Sequence, residues 1–138
     1  MFIERILSEG LAHHSYIIGD EGRAAVIDPA CDIDRHLAAA GERECTISLI
    51  FETHRNEDFV SGAAALAAAT GVPVWRGDGP ACGMPHARTA RHGTRFHLGA
   101  VELTTLATPG HTDDSISITF SHASTGASPV GVFTGDTL

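Results

Sequence analysis

Thr46-Ile47-Ser48-Leu49-Ile50-Phe51, followed by Glu52-Thr53-His54-Arg55-Asn56-Glu57-Asp58-Phe59, sets the architecture of this chain. The first six residues are a nearly continuous apolar run bounded by polar residues, the pattern of a buried central strand. A polar loop over residues 53–58 comes next. An alanine-rich stretch over 60–70 then reads as a helix closed by Gly71, and residues 72–75 read as a strand. Strand, helix and strand in succession call for an α/β layer structure with at least some parallel pairing.

Working outward, residues 2–7 and 15–18 read as strands, with Gly19-Asp20-Glu21-Gly22 as a hairpin turn into a strand over 24–27. Asp28-Pro29 ends that strand. Asp32 reads as a helix N-cap, with Ile33, His36, Leu37 and Ala40 on one face and Gly41 as the stop. Residues 76–95 lack periodicity and read as one long connection. Three strands are expected over 95–98, 101–106 and 115–120. A turn over 124–129 then leads to a last strand over 130–134.

Composition narrows the function classes. The chain has 138 residues, 43% hydrophobic and 19% charged, which suits one globular domain. A net charge of −8 with only nine Lys and Arg argues against nucleic acid as a partner. The arginines at 76, 88, 91 and 95 read as a solvated loop. Cys31, Cys45 and Cys82 are odd in number and widely spaced, so each is expected to be a buried, inert thiol in a reducing cytoplasm. Glu4 and Arg5 interrupt the apolar start, which argues against a signal peptide, and no stretch reaches the length of a membrane span.

Three polar clusters lie immediately after apolar strands: residues 53–58, Thr108-Pro109-Gly110-His111-Thr112, and Gly135-Asp136-Thr137. Loops converge at strand ends in α/β proteins, so ligand sites collect there. Two histidines and an aspartate on separate strand ends can supply a facial triad to one non-haem iron.

These stretches, with Ala25-Val26-Ile27-Asp28-Pro29, Asp58-Phe59-Val60-Ser61-Gly62 and Phe133-Thr134-Gly135-Asp136-Thr137-Leu138, occur in one order along nearly the whole chain. Together they resemble the metallo-β-lactamase superfamily, and within it the persulfide dioxygenase-like branch, including rhodanese-fused forms. The resemblance implies an α/β, αββα-sandwich domain over residues 1–138, holding the N-terminal half and the start of the second half only. The superfamily's H-x-H-x-D-H motif stands here as His54-Arg55-Asn56-Glu57-Asp58-Phe59, so Asn56 and Phe59 occupy two histidine positions. Phe59 cannot ligate a metal, and an Asn56 amide is a feeble zinc ligand beside imidazole.

The branch's pattern implies one Fe(II) held by His54, His111 and Asp136, with zinc as the alternative metal. Asp58 is then read as orienting a ligand histidine or a bound water, beside the plain reading of a helix-start aspartate. Thr112 and Thr137 are read either as orienting the ligands beside them or as plain turn chemistry. The implied activity is oxidation of a small-molecule thiol persulfide, such as glutathione persulfide, to sulfite and thiol. The alternatives are a glyoxalase II-type metal-dependent hydrolase and a catalytically inactive structural or interaction module. No nucleic acid or membrane partner is implied; a rhodanese domain in a longer form is. One ligand lies near the chain's end beside an apolar strand, so weak activity and self-association of this chain are expected. His13, His14, His36, His86, His92, His97 and His122 match no ligand position and read as surface or partly buried structural residues. Asp113 and Asp114 read as a helix cap or solvated turn.

Overall fold

The computed structural model describes residues 1–10, 12–55, 60–79 and 86–137. Strands β1 (Phe2–Leu7), β2 (His14–Asp20), β3 (Arg23–Ile27), β4 (Thr46–Phe51), β5 (Val74–Arg76) and β6 (Ala87–Thr89) form one sheet in that order. The β1–β2 and β2–β3 pairings are antiparallel, and the remaining three are parallel. Strands β7 (Arg95–Leu98), β8 (Val101–Ala107), β9 (Ile116–His122) and β10 (Gly131–Phe133) form a second, wholly antiparallel sheet in the order β10-β9-β8-β7.

Alternation along the strands makes two cores. On β3, Ala24 and Val26 face one way, with Ile17, Ile47, Ile50 and Val74, against helices α1 (Ile33–Glu42) and α2 (Ala63–Thr70). Ala25 and Ile27 face the other way, with Ile18 and Phe51, against Leu98, Val101, Leu103, Ile116 and Ile118 of the second sheet. Successive side chains of a strand point to opposite faces, so a strand buried on both must be apolar throughout. Ile47 and Ile50 share a face although three residues apart, because the β3–β4 register shifts between Ala24 and Ala25. One extra residue in β4 flips the alternation there. The layers are therefore helix, sheet and sheet, three of the four in an αββα sandwich.

The β2–β3 turn is tighter than expected. β2 runs to Asp20, and Glu21 and Gly22 both take positive φ, as a two-residue hairpin turn matched to strand twist requires. α1 begins after Asp32, whose side chain makes no capping bond, and passes Gly41 to end at Glu42. Its buried face is His36, Ala39 and Ala40, while Leu37 is left exposed because the helix lies rotated toward its small residues. α2 starts only at Ala63, directly after the bridge between Ser61 and Ala30. The connection over 76–95 contains β6, whose exposed Ala-Arg-Thr triplet carries no alternation to read. Cys31 is exposed in the turn before α1 rather than buried, Cys45 is half-buried, and Cys82 lies outside the described residues. No helix among the described residues is long and apolar enough to cross a membrane.

Two glycines should respond oppositely to alanine. The Gly62 amide donates to the Pro29 carbonyl at 2.8 Å, and a Cβ there would stand 1.9 Å from the Ala30 oxygen. Gly62→Ala should cost about 1–3 kcal/mol or more by forcing those backbones apart. Gly41 sits within α1, and an alanine methyl at that position would meet nothing within 4 Å, so Gly41→Ala should add about 0.5–1 kcal/mol. Urea midpoints moving the same way in both variants would contradict this packing.

Candidate metal centre

The site lies where both sheets deliver strand ends to one edge. β4 leads into Glu52-Thr53-His54-Arg55, β8 leads into the loop carrying His111, and β10 leads into Gly135-Asp136. The Ile116 amide donates to the Thr53 carbonyl at 2.7 Å, tying the second sheet to the first beside the site.

Thr53 organises the neighbourhood. Its amide donates to Asp28 Oδ1 at 2.7 Å and its hydroxyl donates to Asp28 Oδ2 at 2.8 Å. The hydroxyl proton is thereby used, so the oxygen accepts from His54 Nδ1–H at 2.9 Å. That leaves the Nε2 lone pair of His54 to face the cavity, the arrangement that orients a ligand imidazole. Asp28 takes φ +50° as it leaves β3, a left-handed conformation that aspartate tolerates better than most residues. Burial pushes its carboxyl up to about 7, against the pull of the two Thr53 bonds. Gly135 has φ +53°, and a Cβ there would stand 2.3 Å from Thr53 Oγ1. Glycine is thus needed for Asp136 to approach His54 so closely.

The ligand atoms of His54, His111 and Asp136 all lie within 4.8 Å of one another. Asp136 Oδ2 stands 3.6 Å from His54 Nε2 and 3.8 Å from His111 Nε2, and the two imidazoles meet edge to face. His54 is buried, whereas His111 and Asp136 are exposed. Burial lowers the His54 imidazole from its ordinary value, with Asp136 opposing and His111 reinforcing the shift. A neutral imidazole is the form that binds a metal.

The three face a cavity of about 800 Å³, bounded by His13, Arg55, Asp113, Tyr16, Phe120 and Phe133 among others. Tyr16 and Phe120 each stand 5.2 Å, ring to ring, from Phe133, which makes an apolar wall joining β2 to β9 and β10.

The three expected ligand residues are therefore brought together, and Asp58 lies outside the described residues. Other expectations change. His13 borders the cavity, close enough for Asp136 and His54 to act on its charge. His36 is fully buried, its Nε2 2.7 Å from Ser15 Oγ while that hydroxyl donates to the Ile27 carbonyl. Asp114 is neither a cap nor solvated: it is buried in an ion pair with Arg76 at 2.6 Å, which removes Arg76 from the solvated loop. Asp28 and Thr53 are legible as a strand end and part of a motif, but nothing in their spacing reveals their mutual bond.

The family model of the metallo-beta-lactamase superfamily matches residues 9–138, and the chain belongs to that superfamily. It is 36% identical to a hydroxyacylglutathione hydrolase of Rhodospirillum rubrum over 85% of this chain and 43% of the relative. Among solved structures, a metallo-beta-lactamase from Staphylococcus aureus superposes with a TM-score of 0.89 at 33% identity, over 99% of this chain and 43% of that one. ETHE1 from Myxococcus xanthus gives 0.83 at 33% identity, over the whole of this chain and 58% of that one. The chain spans about half the length of the curated relatives it matches.

The Asp28–Thr53 contact gives a pH-dependent prediction. A carboxyl raised from 3.8 to about 7 contributes stability that is full below 3.8 and is lost as pH rises through about 7. Thr53→Val removes a donor to the ionised form and should cost about 1–3 kcal/mol at pH 8 and distinctly less at pH 5. Thr53→Ser should match the parent at both. Urea unfolding of the metal-free protein reads this directly, and a pH-independent Val penalty would count against it.

Proposed function

We propose that this chain carries the metal-binding part of a mononuclear non-haem iron oxygenase acting on the persulfide of a small thiol such as glutathione. The carrying observation is the donor set. Two imidazoles and one carboxylate from three separate segments face one point, while Asn56 and Phe59 stand where a second metal would need histidines. Two-histidine, one-carboxylate sites with open positions are the pattern of Fe(II) oxygenases.

The residues fit such an ion. Donors about 2.1 Å from a common centre stand roughly 3–3.5 Å apart. The 3.6 and 3.8 Å separations here, in a triad whose ligand atoms lie within 4.8 Å, close to that by side-chain adjustment of the exposed His111 and Asp136. His54, His111 and Asp136 would hold the metal, and Asp58 belongs to the proposal as a residue that orients a ligand or a bound water. When bound, ferrous iron supplies one-electron chemistry with dioxygen. Thr53 keeps His54 in the tautomer that presents Nε2 to the site. One carboxylate and two neutral imidazoles leave a divalent ion with net positive charge, which favours an anionic sulfur substrate. Tyr16, Phe120 and Phe133 line one side of the cavity with aromatic rings. The balanced reaction takes persulfide, O₂ and water to thiol and sulfite, the outer sulfur giving up four electrons and O₂ accepting them.

A second reading is a metal-dependent hydrolase, and what favours it is the name hydroxyacylglutathione hydrolase borne by the curated relatives. Both readings share a glutathione-linked sulfur substrate. Metal content separates them. Protein purified anaerobically and loaded with Fe(II) should bind one ion per chain, whereas two tightly held zincs per chain would overturn the oxygenase reading. His111→Ala should abolish stoichiometric binding. His97→Ala should leave it unchanged, because His97 is exposed on β7 and pairs only loosely with Glu102 at 3.8 Å. Equal losses from the two substitutions would show that the ligands are assigned wrongly.

A further inference from the structure

Behind the triad lies a second, buried polar cluster that contributes no ligand. Arg76, the last residue of β5, places Nη2 2.6 Å from Asp114 Oδ2, with both side chains almost wholly buried. Asp114 Oδ1 accepts from Thr112 Oγ1 at 2.7 Å and from the Arg55 amide at 3.2 Å. Thr112 directly follows His111, and Arg55 directly follows His54. The chain after β5 also lies on Asp114: a Cβ at Gly77 would stand 2.0 Å from the Asp114 carbonyl oxygen, and one at Gly79 2.7 Å from its Cβ. Buried Glu52 faces the same group and takes the Ser61 hydroxyl at 2.5 Å, so Arg76 has acidic neighbours on two sides. Three segments therefore meet on one carboxylate. Two of them carry imidazoles of the candidate centre.

We infer that Asp114, anchored by Arg76, is a positioning residue that fixes the His54 and His111 segments relative to each other and so sets the affinity and coordination geometry of the metal centre. This rests on the metal reading above. The carboxylate is suited to the task because it bonds both segments through one oxygen while its other oxygen is tied to the sheet through Arg76. Neither bond touches an imidazole, so the effect passes through backbone placement. A metal site needs its donors held to within about half an ångström, and residues supporting the ligands typically govern about 10–100-fold in affinity.

The test uses Co(II), whose visible spectrum reports coordination, on the full 138-residue chain. Replacing a buried ion pair with apolar groups of similar size is commonly tolerated by a fold, so the double variant Arg76→Met/Asp114→Leu is the principal one. It should remain cooperatively folded when metal-free, bind Co(II) about 10–100-fold more weakly in chelator competition, and give shifted absorption bands at saturation. Asp114→Asn keeps one oxygen acceptor for Thr112 and the Arg55 amide and should fall between the double variant and the parent. If the double variant does not fold, Thr112→Val serves instead, with Ser115→Ala as its control. The valine removes the hydroxyl bonds to Asp114 and Ser115, the alanine only the side-chain bonds of Ser115, and the valine alone should shift the bands. Parent-like affinity and spectrum in a folded variant would overturn the inference, even with a lowered urea midpoint. A parent chain that develops no Co(II) bands would overturn the metal reading and this inference with it.

Discussion

Asp28 and Thr53 are joined by two hydrogen bonds across the ends of adjacent parallel strands, and the rest of the site depends on that link. Main-chain pairing between β3 and β4 ends where the strands diverge, and the Asp28 side chain then takes over the Thr53 amide. The Asp28 side chain extends the pairing by one step. Its cost is a carboxyl kept in a dry environment, and the Thr53 amide and hydroxyl partly compensate for the water it has lost. The direction of His54, the close approach of Gly135 and the seam to Ile116 all refer back to Thr53.

Rigid and adjustable parts are separated around this anchor. His54 is buried and hydrogen-bonded from behind, whereas His111 and Asp136 are exposed and arrive on loops of the second sheet. Beneath them, Glu52, Arg76 and Asp114 form a charged layer that is excluded from water. A buried pair of this kind adds little net stability, because desolvation offsets its attraction, but losing one partner leaves the other buried and uncompensated. The apolar cores on either side of the first sheet hold the scaffold. The polar layer joins the loops above it to the first sheet through Asp114 and Arg76.

What can be read in the sequence follows from how local each signal is. The four residues from Ala24 to Ile27 and the run ending at Phe51 announce two-sided burial, and both strands lie at the centre of the first sheet. His54, His111 and Asp136 each follow an apolar strand, and strand ends converge, so their gathering can be anticipated from order alone together with the family pattern. The failures have physical causes. Leu37 has the spacing of an inward residue, but β2 and β4 approach α1 closely enough to favour Ala39, Ala40 and the hydrogen-bonded His36. β6 is three exposed residues recruited by pairing with β5, which no periodicity can signal. Arg76 and Asp114 are 38 positions apart, and each alone has the composition of a solvated loop. Only the fold makes them partners.

The short turn over residues 28–30 grips the following segment at two points. Asp28 takes hold of Thr53, while Pro29 and Ala30 receive Gly62 and Ser61. Entry to and exit from the stretch between them are thus held by backbone contacts and by one carboxylate. Residues between those two points can be exchanged without removing any bond of the clamp itself. A scaffold built this way can vary the sequence it carries between two fixed points while its folding determinants stay in place. His54 sits inside the clamp, next to Thr53, and the positions where this chain departs from the superfamily's histidine pattern lie further along the same segment.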